Sequence, residues 1–184
     1  MTKGILALLV ALTLPTVALA DCPDEACASV QKILAARSGS FITSSFAKIK
    51  GRPTLDSRGD PAWEGTQPIG ALIKSCYVYR RGEGSRYEYR CDTGPIQSRA
   101  TAQKIADDAK AAFVAADAKL VWFDDPATAS LAAIEGFRGT EGWYGGYAKN
   151  KAMLVKVELV VSDAAGSAVL VTVFAKPVTR RDLR

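Results

Sequence analysis

The sequence predicts an α+β protein, with an antiparallel β-sheet, two main helices packed on one face, and disulfide reinforcement. Three observations carry this. Two segments, near residues 24–38 and 98–116, have apolar residues at helical spacing. Two pairs of β-prone runs, 76–80 with 87–91 and 155–161 with 169–175, alternate as strands do. The order helix, strand, hairpin, helix, strand, hairpin fits most simply if the helices gather on one side of the sheet.

The chain opens on a removable leader over residues 1–20. Lys3 gives it a positive start, and Gly4 to Leu14 is an apolar run too short to span a bilayer. Pro15 breaks that run, and Ala18-Leu19-Ala20 supplies the small residues a signal peptidase requires. The expected mature chain is residues 21–184, one α+β domain in a periplasmic or secreted location. Asp21 before Cys22 replaces the small residue a lipoprotein signal needs. Removing Lys3 from 24 Lys plus Arg leaves 23 against 19 Asp plus Glu, a net of +4. That charge is spread along the chain apart from a basic tail at 177–184. No basic-aromatic module accompanies it, so no nucleic-acid partner is expected.

Four cysteines in an oxidising compartment form a framework. Cys76-Tyr77-Val78-Tyr79-Arg80 and Tyr87-Glu88-Tyr89-Arg90-Cys91 flank Gly82-Glu83-Gly84-Ser85. Folding symmetrically about Glu83–Gly84 makes Arg81:Arg86 the first pair. Cys76 then lies opposite Cys91 at a non-hydrogen-bonded site, where Cα atoms approach most closely. Cys22 is left for Cys27, pinning the mature N-terminus to the first helix.

That helix starts at Pro23 or Asp24, carries Ala26, Val30, Ile33 and Leu34 on one face, and stops near Gly39. Phe41 to Lys50 reads as a strand. Residues 51–70 read as a long loop, with three prolines, four glycines and no periodicity. Trp63 in its middle is expected to fold back over the core. Arg58-Gly59-Asp60 within it is an adhesion tripeptide short enough to occur by chance. In the hairpin, Cys76, Val78, Tyr87, Tyr89 and Cys91 form the core face. Tyr77, Tyr79, Arg86, Glu88 and Arg90 form the other.

Ser98 N-caps the second helix, whose stripe of Ala102, Ile105, Ala106, Ala109, Ala112, Phe113 and Ala116 is narrow enough to lie close to a sheet. Leu120 to Phe123 is a short strand. Asp125 with Pro126 suggests a short helix over 126–135, with an edge strand as the alternative. Residues 136–150, five glycines interleaved with Phe137, Trp143, Tyr144 and Tyr147, read as a second long loop. Val155, Val157, Leu159 and Val161 then face Val169, Val171, Val173 and Ala175 across a three-residue turn, Ala164-Ala165-Gly166.

The absence of histidine removes every Ser-His, Cys-His and His-metal mechanism. No nucleophile elbow or phosphate loop is present. No catalytic residue, metal ligand or cofactor is therefore assigned, and the enzymatic reading is disfavoured. The aromatic residues point to binding. Trp63, Tyr77, Tyr79, Phe137, Trp143, Tyr144 and Tyr147 are the candidate contact surface. The expectation is a non-enzymatic binding or accessory protein of the bacterial envelope, with an envelope protein as its partner and no membrane span in the mature chain. The alternatives are a periplasmic carrier of a small apolar ligand, and a carboxylate-dependent hydrolase of an envelope polymer.

Overall fold

The structure, a computed structural model, describes residues 22–42, 46–48, 53–56, 58–71, 73–82, 86–125, 137–148, 152–162 and 166–178. Asp24, in extended backbone, accepts from the Cys27 N–H at 2.8 Å and so caps α1 (Glu25–Ala36). Glu25 in the first turn complements the positive end of the helix dipole. Val30 and Ile33 on its inner face are fully buried, each contributing about 1.5–3 kcal/mol. The helix ends in a 3₁₀ turn, Arg37–Gly39. The Cys22–Cys27 disulfide is formed, with Cα atoms 5.3 Å apart.

Beyond this turn the expected strand at Phe41–Lys50 is not found among the described residues. Ser40 and Phe41 both take left-handed backbone, with φ near 60°. Two such residues in succession turn the chain and break an extended run. The Phe41 ring instead enters the core, 5.5 Å from Tyr89 and 6.5 Å from Phe46. A single bridge, Ala47 to Gly65, is the local sheet contact.

Among the described residues the sheet has eight strands, all antiparallel: β1 (Thr54–Leu55), β2 (Pro61–Glu64), β3 (Ser75–Arg81), β4 (Arg86–Asp92), β5 (Val121–Asp125), β6 (Phe137–Tyr147), β7 (Met153–Ser162) and β8 (Ser167–Val178). Their order is β1-β2-β3-β4-β8-β7-β6-β5. Each helix thus precedes a four-strand meander, and the last strands of the two meanders pair at the centre. Helix α2 (Arg99–Ala116) begins at Ser98, whose hydroxyl accepts from the Thr101 N–H. Its alanine stripe and Phe113 pack with α1 against one sheet face. That face carries Cys76, Val78, Tyr89, Cys91, Val155, Val157, Leu159, Val169, Val171 and Val173. No described helix is long and apolar enough to cross a membrane.

Two segments expected as loops hold strands. Residues 51–70 contain β1 and β2, which are too short for periodicity to show. Residues 136–150 are mostly β6, an eleven-residue strand. Glycine is disfavoured in strands because it offers no side chain to pack. Here its absence of a side chain makes room. A Cβ on Gly146 would lie 3.0 Å from the Trp122 ring, which crosses from β5 directly opposite. Register shifts after Phe137, Thr140 and Gly146 absorb the irregularity.

The β3–β4 hairpin has the expected register, with Arg81 paired to Arg86 and Cys76 to Cys91. The second disulfide joins those cysteines with Cα atoms 4.0 Å apart. The β7–β8 hairpin pairs the expected apolar faces but two residues out of the expected register. Val161 pairs with Ser167 and Leu159 with Val169, so the three-residue turn is replaced by a longer connection. Alternating patterns repeat every two residues and cannot separate registers that differ by two. The start of β8 is fixed instead by Ile96, which exchanges two backbone hydrogen bonds with Ser167 at 2.6 and 2.8 Å. Residues 126–135, expected as helix or strand, lie outside the described set, as do 1–21 and 179–184. Residues 177 and 178 of the expected basic tail belong to β8.

Candidate functional site

The structure does not bring the seven candidate aromatics onto one surface. Trp63 is half-buried against the helix-side core, as expected of a ring that folds back over it. Tyr144 also faces the helices. Its hydroxyl donates to Asp107 at 2.6 Å and accepts from Gln103 at 2.8 Å, while Lys110 lies 4.2 Å from its ring centre. It bolts β6 to α2. The backbone of Phe137 is paired to Ser162 and that of Trp143 to Glu158.

Tyr77, Tyr79 and Tyr147 lie on the opposite face of the sheet, away from both helices. Cross-strand register lines up one row there: Glu64, Tyr77, Arg90, Thr172, Lys156, Gly145 and Phe123. Beside it run Ala62, Tyr79, Glu88 and Phe174. The middle of this face is buried. Lys156 and Glu158 form an ion pair there at 2.8 Å, with Thr172 alongside. Small apolar clusters flank them: Tyr147, Met153 and Phe174 on one side, and Val160, Ala168 and Leu170 on the other. Among the described residues no helix crosses this face. Its flanks are more open. Tyr77 and Tyr79 are half-buried with ring centres 6.1 Å apart, and Phe123 is exposed, packed edge-on to Tyr147 at 5.4 Å.

Charge is organised tightly around Tyr79. Arg81 and Arg90 lie 4.3 and 5.1 Å from its ring centre, within cation–π range. Arg81 is buried and donates to Asp56, to Asp60 at 3.0 Å and to Glu88 at 3.2 Å. Glu88 also accepts from Arg90 at 3.1 Å. Burial alone weakens the Arg81 cation, but its three carboxylates outweigh that and raise its pKa above the usual arginine value. Burial pushes the Asp56 carboxyl up. The Arg81 bond and the backbone N–H groups of Asp60 and Arg58 pull it further down, to a net value below the ordinary aspartate range. Burial raises the Tyr79 phenol despite the two arginines. The Nε of Arg90 is buried without a hydrogen-bond partner.

This cluster was missed in the sequence. Asp56 and Asp60 sit in a segment without pattern, and only Asp60 drew notice, as part of the Arg58-Gly59-Asp60 tripeptide. The structure uses that tripeptide as a turn, with Gly59 at φ +78° and Asp60 bound to Arg81. A signal was available: an aspartate whose side chain can bond the backbone two to four residues on, facing a strand that ends in arginine. Asp56 does this, accepting from the N–H groups of Arg58 and Asp60.

Chemically, the cluster ties the segment before β2 to the β3–β4 hairpin through Arg81. Asp56 and Asp60 converge on one guanidinium nitrogen, and a carboxyl held below its usual range cannot donate a proton near neutral pH. Among the described residues no group of acids and cysteines is arranged to hold a metal ion. A concavity lies on the helix side. It is an open cleft of about 650 Å³ between the start of α1, residues 69–71 with Ile73, and α2, lined mainly by Ala26, Ile69, Ile73, Ile105, Ala109 and Ala112. No family model, curated protein or solved structure matches this chain.

Proposed function

We propose that this chain is an exported, non-enzymatic binding or accessory protein of the bacterial envelope, which contacts a protein partner through the sheet face turned away from its helices. The observation that carries this reading is the Tyr77–Tyr79 pair, with Arg81 and Arg90 against the Tyr79 ring. Half-buried tyrosines backed by arginines are the residue types that anchor protein interfaces. The ion pairs beneath them fix the rings before a partner arrives, which lowers the ordering cost of binding.

The helix-side cleft favours the second reading, a carrier of a small apolar ligand. Its volume is in the range of ligand sites, and its walls are mainly alanine and isoleucine. Native mass spectrometry of the protein purified from its own envelope separates the two. A co-purifying polypeptide, lost in a Tyr77→Ser/Tyr79→Ser variant that keeps its melting temperature within a few degrees, supports the partner reading. A small added mass, retained in that variant and lost in Ala109→Trp, moves the function to the cleft.

A further inference from the structure

The two disulfides of this chain sit in opposite surroundings. Cys76 and Cys91 are 3% and 0% exposed and belong to the helix-side core. Gly65 lies against them so closely that a Cβ added there would meet the Cys76 Cβ at 2.8 Å. Its N–H donates to the Cys76 carbonyl at 2.6 Å. A thiol reaches that bond only after the core opens. In the other disulfide Cys27 is fully buried, but Cys22, at the outer end of the α1 N-terminus, is only half-buried.

The loop closed by this second kind of bond is also a wall. Pro23, Asp24, Ala26 and Cys27 line the helix-side cleft. Gly70, on the neighbouring wall, packs against the same turn: a Cβ there would lie 3.3 Å from that of Ala26. Next to it the Ile69 N–H donates to the Ile73 carbonyl at 2.9 Å. Whatever holds the first turn of α1 in place therefore also holds the shape of the cleft.

We infer that the Cys22–Cys27 disulfide is an exchangeable latch on this cleft, opened by a dithiol, while Cys76–Cys91 is a permanent bond of the core. The difference in burial sets the direction of attack. A thiolate of the dithiol bonds to the Cys22 Sγ, the S–S bond breaks, and its electron pair leaves on the Cys27 Sγ, which takes up a proton. The second thiol of the reductant then loses its proton and displaces Cys22, which is protonated in turn. The reductant ends as a disulfide and the chain with two thiols. The first turn then has no covalent tie to Cys22 and rests on the Asp24 cap, free to move away from Gly70. The latch acts whichever surface carries a partner.

Timed treatment of the folded, disulfide-bonded chain with dithiothreitol, followed by alkylation and peptide mapping, reads both bonds in one experiment. Cys22 and Cys27 should label about a hundredfold sooner, or more, than Cys76 and Cys91. Sub-denaturing urea should speed only the later pair, because that reaction waits on opening of the core. With the first bond alone reduced, hydrogen exchange followed by NMR should quicken at the Cys27, Ala28 and Ile69 amides and stay unchanged along α2. Oxidised glutathione should restore both the bond and the protection, and Cys22→Ser should reproduce the reduced pattern. Equal labelling rates overturn the inference. So does selective reduction that leaves exchange at Ile69 and in α1 unchanged, since the bond would then hold nothing of the cleft. Loss of protection throughout α2 overturns it as well, because the bond would then be holding the whole fold.

Discussion

Replacing Tyr89 by phenylalanine removes one oxygen from the centre of the fold. That oxygen donates to the Gln67 carbonyl at 2.7 Å and accepts from the Gln67 N–H at 2.8 Å. It thereby ties the irregular segment between β2 and β3 to the hairpin. Two hydrogen bonds lost at about 0.5–1.5 kcal/mol each give a destabilisation of about 1–3 kcal/mol at neutral pH. The same hydroxyl supplies a second, independent readout. Burial of the ring raises the phenol from the usual 10 to about 12, against the opposing pull of the Gln67 N–H. A raised folded-state value means that the unfolded chain releases this proton first. The stability is fully present below about pH 10 and is lost as pH rises through about 12, with about 2 kcal/mol gone by about pH 11.5. Phenylalanine has no such loss. Urea unfolding of both proteins from about pH 8 to 11.5, compared at constant m, should show the variant less stable at the low end and the gap closing toward the high end. A gap that stays constant across this range would refute the assignment of the raised value to Tyr89. A gap below about 0.5 kcal/mol at pH 8 would show that the Gln67 bonds hold nothing.

Arg81→Met should cost about 3–5 kcal/mol, because it leaves Asp56, Asp60 and Glu88 around an empty centre. In the parent, Asp56 stabilises above the ordinary aspartate value near 3.8 and loses that contribution as pH falls through its lowered folded value. In the variant the sign reverses, and melting temperatures should rise from pH 7 to pH 4; a fall would sink the account. Gly166→Ala should destabilise by about 2 kcal/mol or more, since φ is +114° and the new Cβ would sit 2.5 Å from the Ile96 carbonyl oxygen. Unchanged thermal unfolding would show that the Ile96 bridge does not fix the start of β8.

The fold was legible where local chemistry is redundant. Asp24 and Ser98 each combine a capping side chain with a helical stripe behind it, and both helices begin where those residues predict. The β3–β4 hairpin had its loop length and its cysteines pointing to one register. Where only one signal existed, it failed. The apolar alternation of β7 and β8 gave the facing surfaces but not the register, which depends on Ile96, about seventy residues before β8 in the chain. In β6 a glycine such as Gly146 read as loop because its reason is non-local: the Trp122 ring occupies the space that a side chain would fill. Of the candidate site, Tyr77 and Tyr79 were legible from alternation alone. Tyr144 was read as a loop residue for the same reason that β6 was missed. The Arg81 cluster depends on two aspartates placed by β1 and β2, strands too short to register as a pattern.

The strand order has a bearing on how the chain must be made. A ribosome delivers the meander ending in β4 well before it delivers β8, yet β4 and β8 are neighbours at the middle of the sheet. Until β8 arrives, β4 and β7 each present an open ladder, and among the described strands no other fills the slot between them. Strand β8 is thus the keystone: losing 167–178 would take out the centre and leave two half-sheets with facing raw edges. A growing chain carries the open β4 edge for some seventy-five residues of synthesis, the interval in which it has most need of a holding factor.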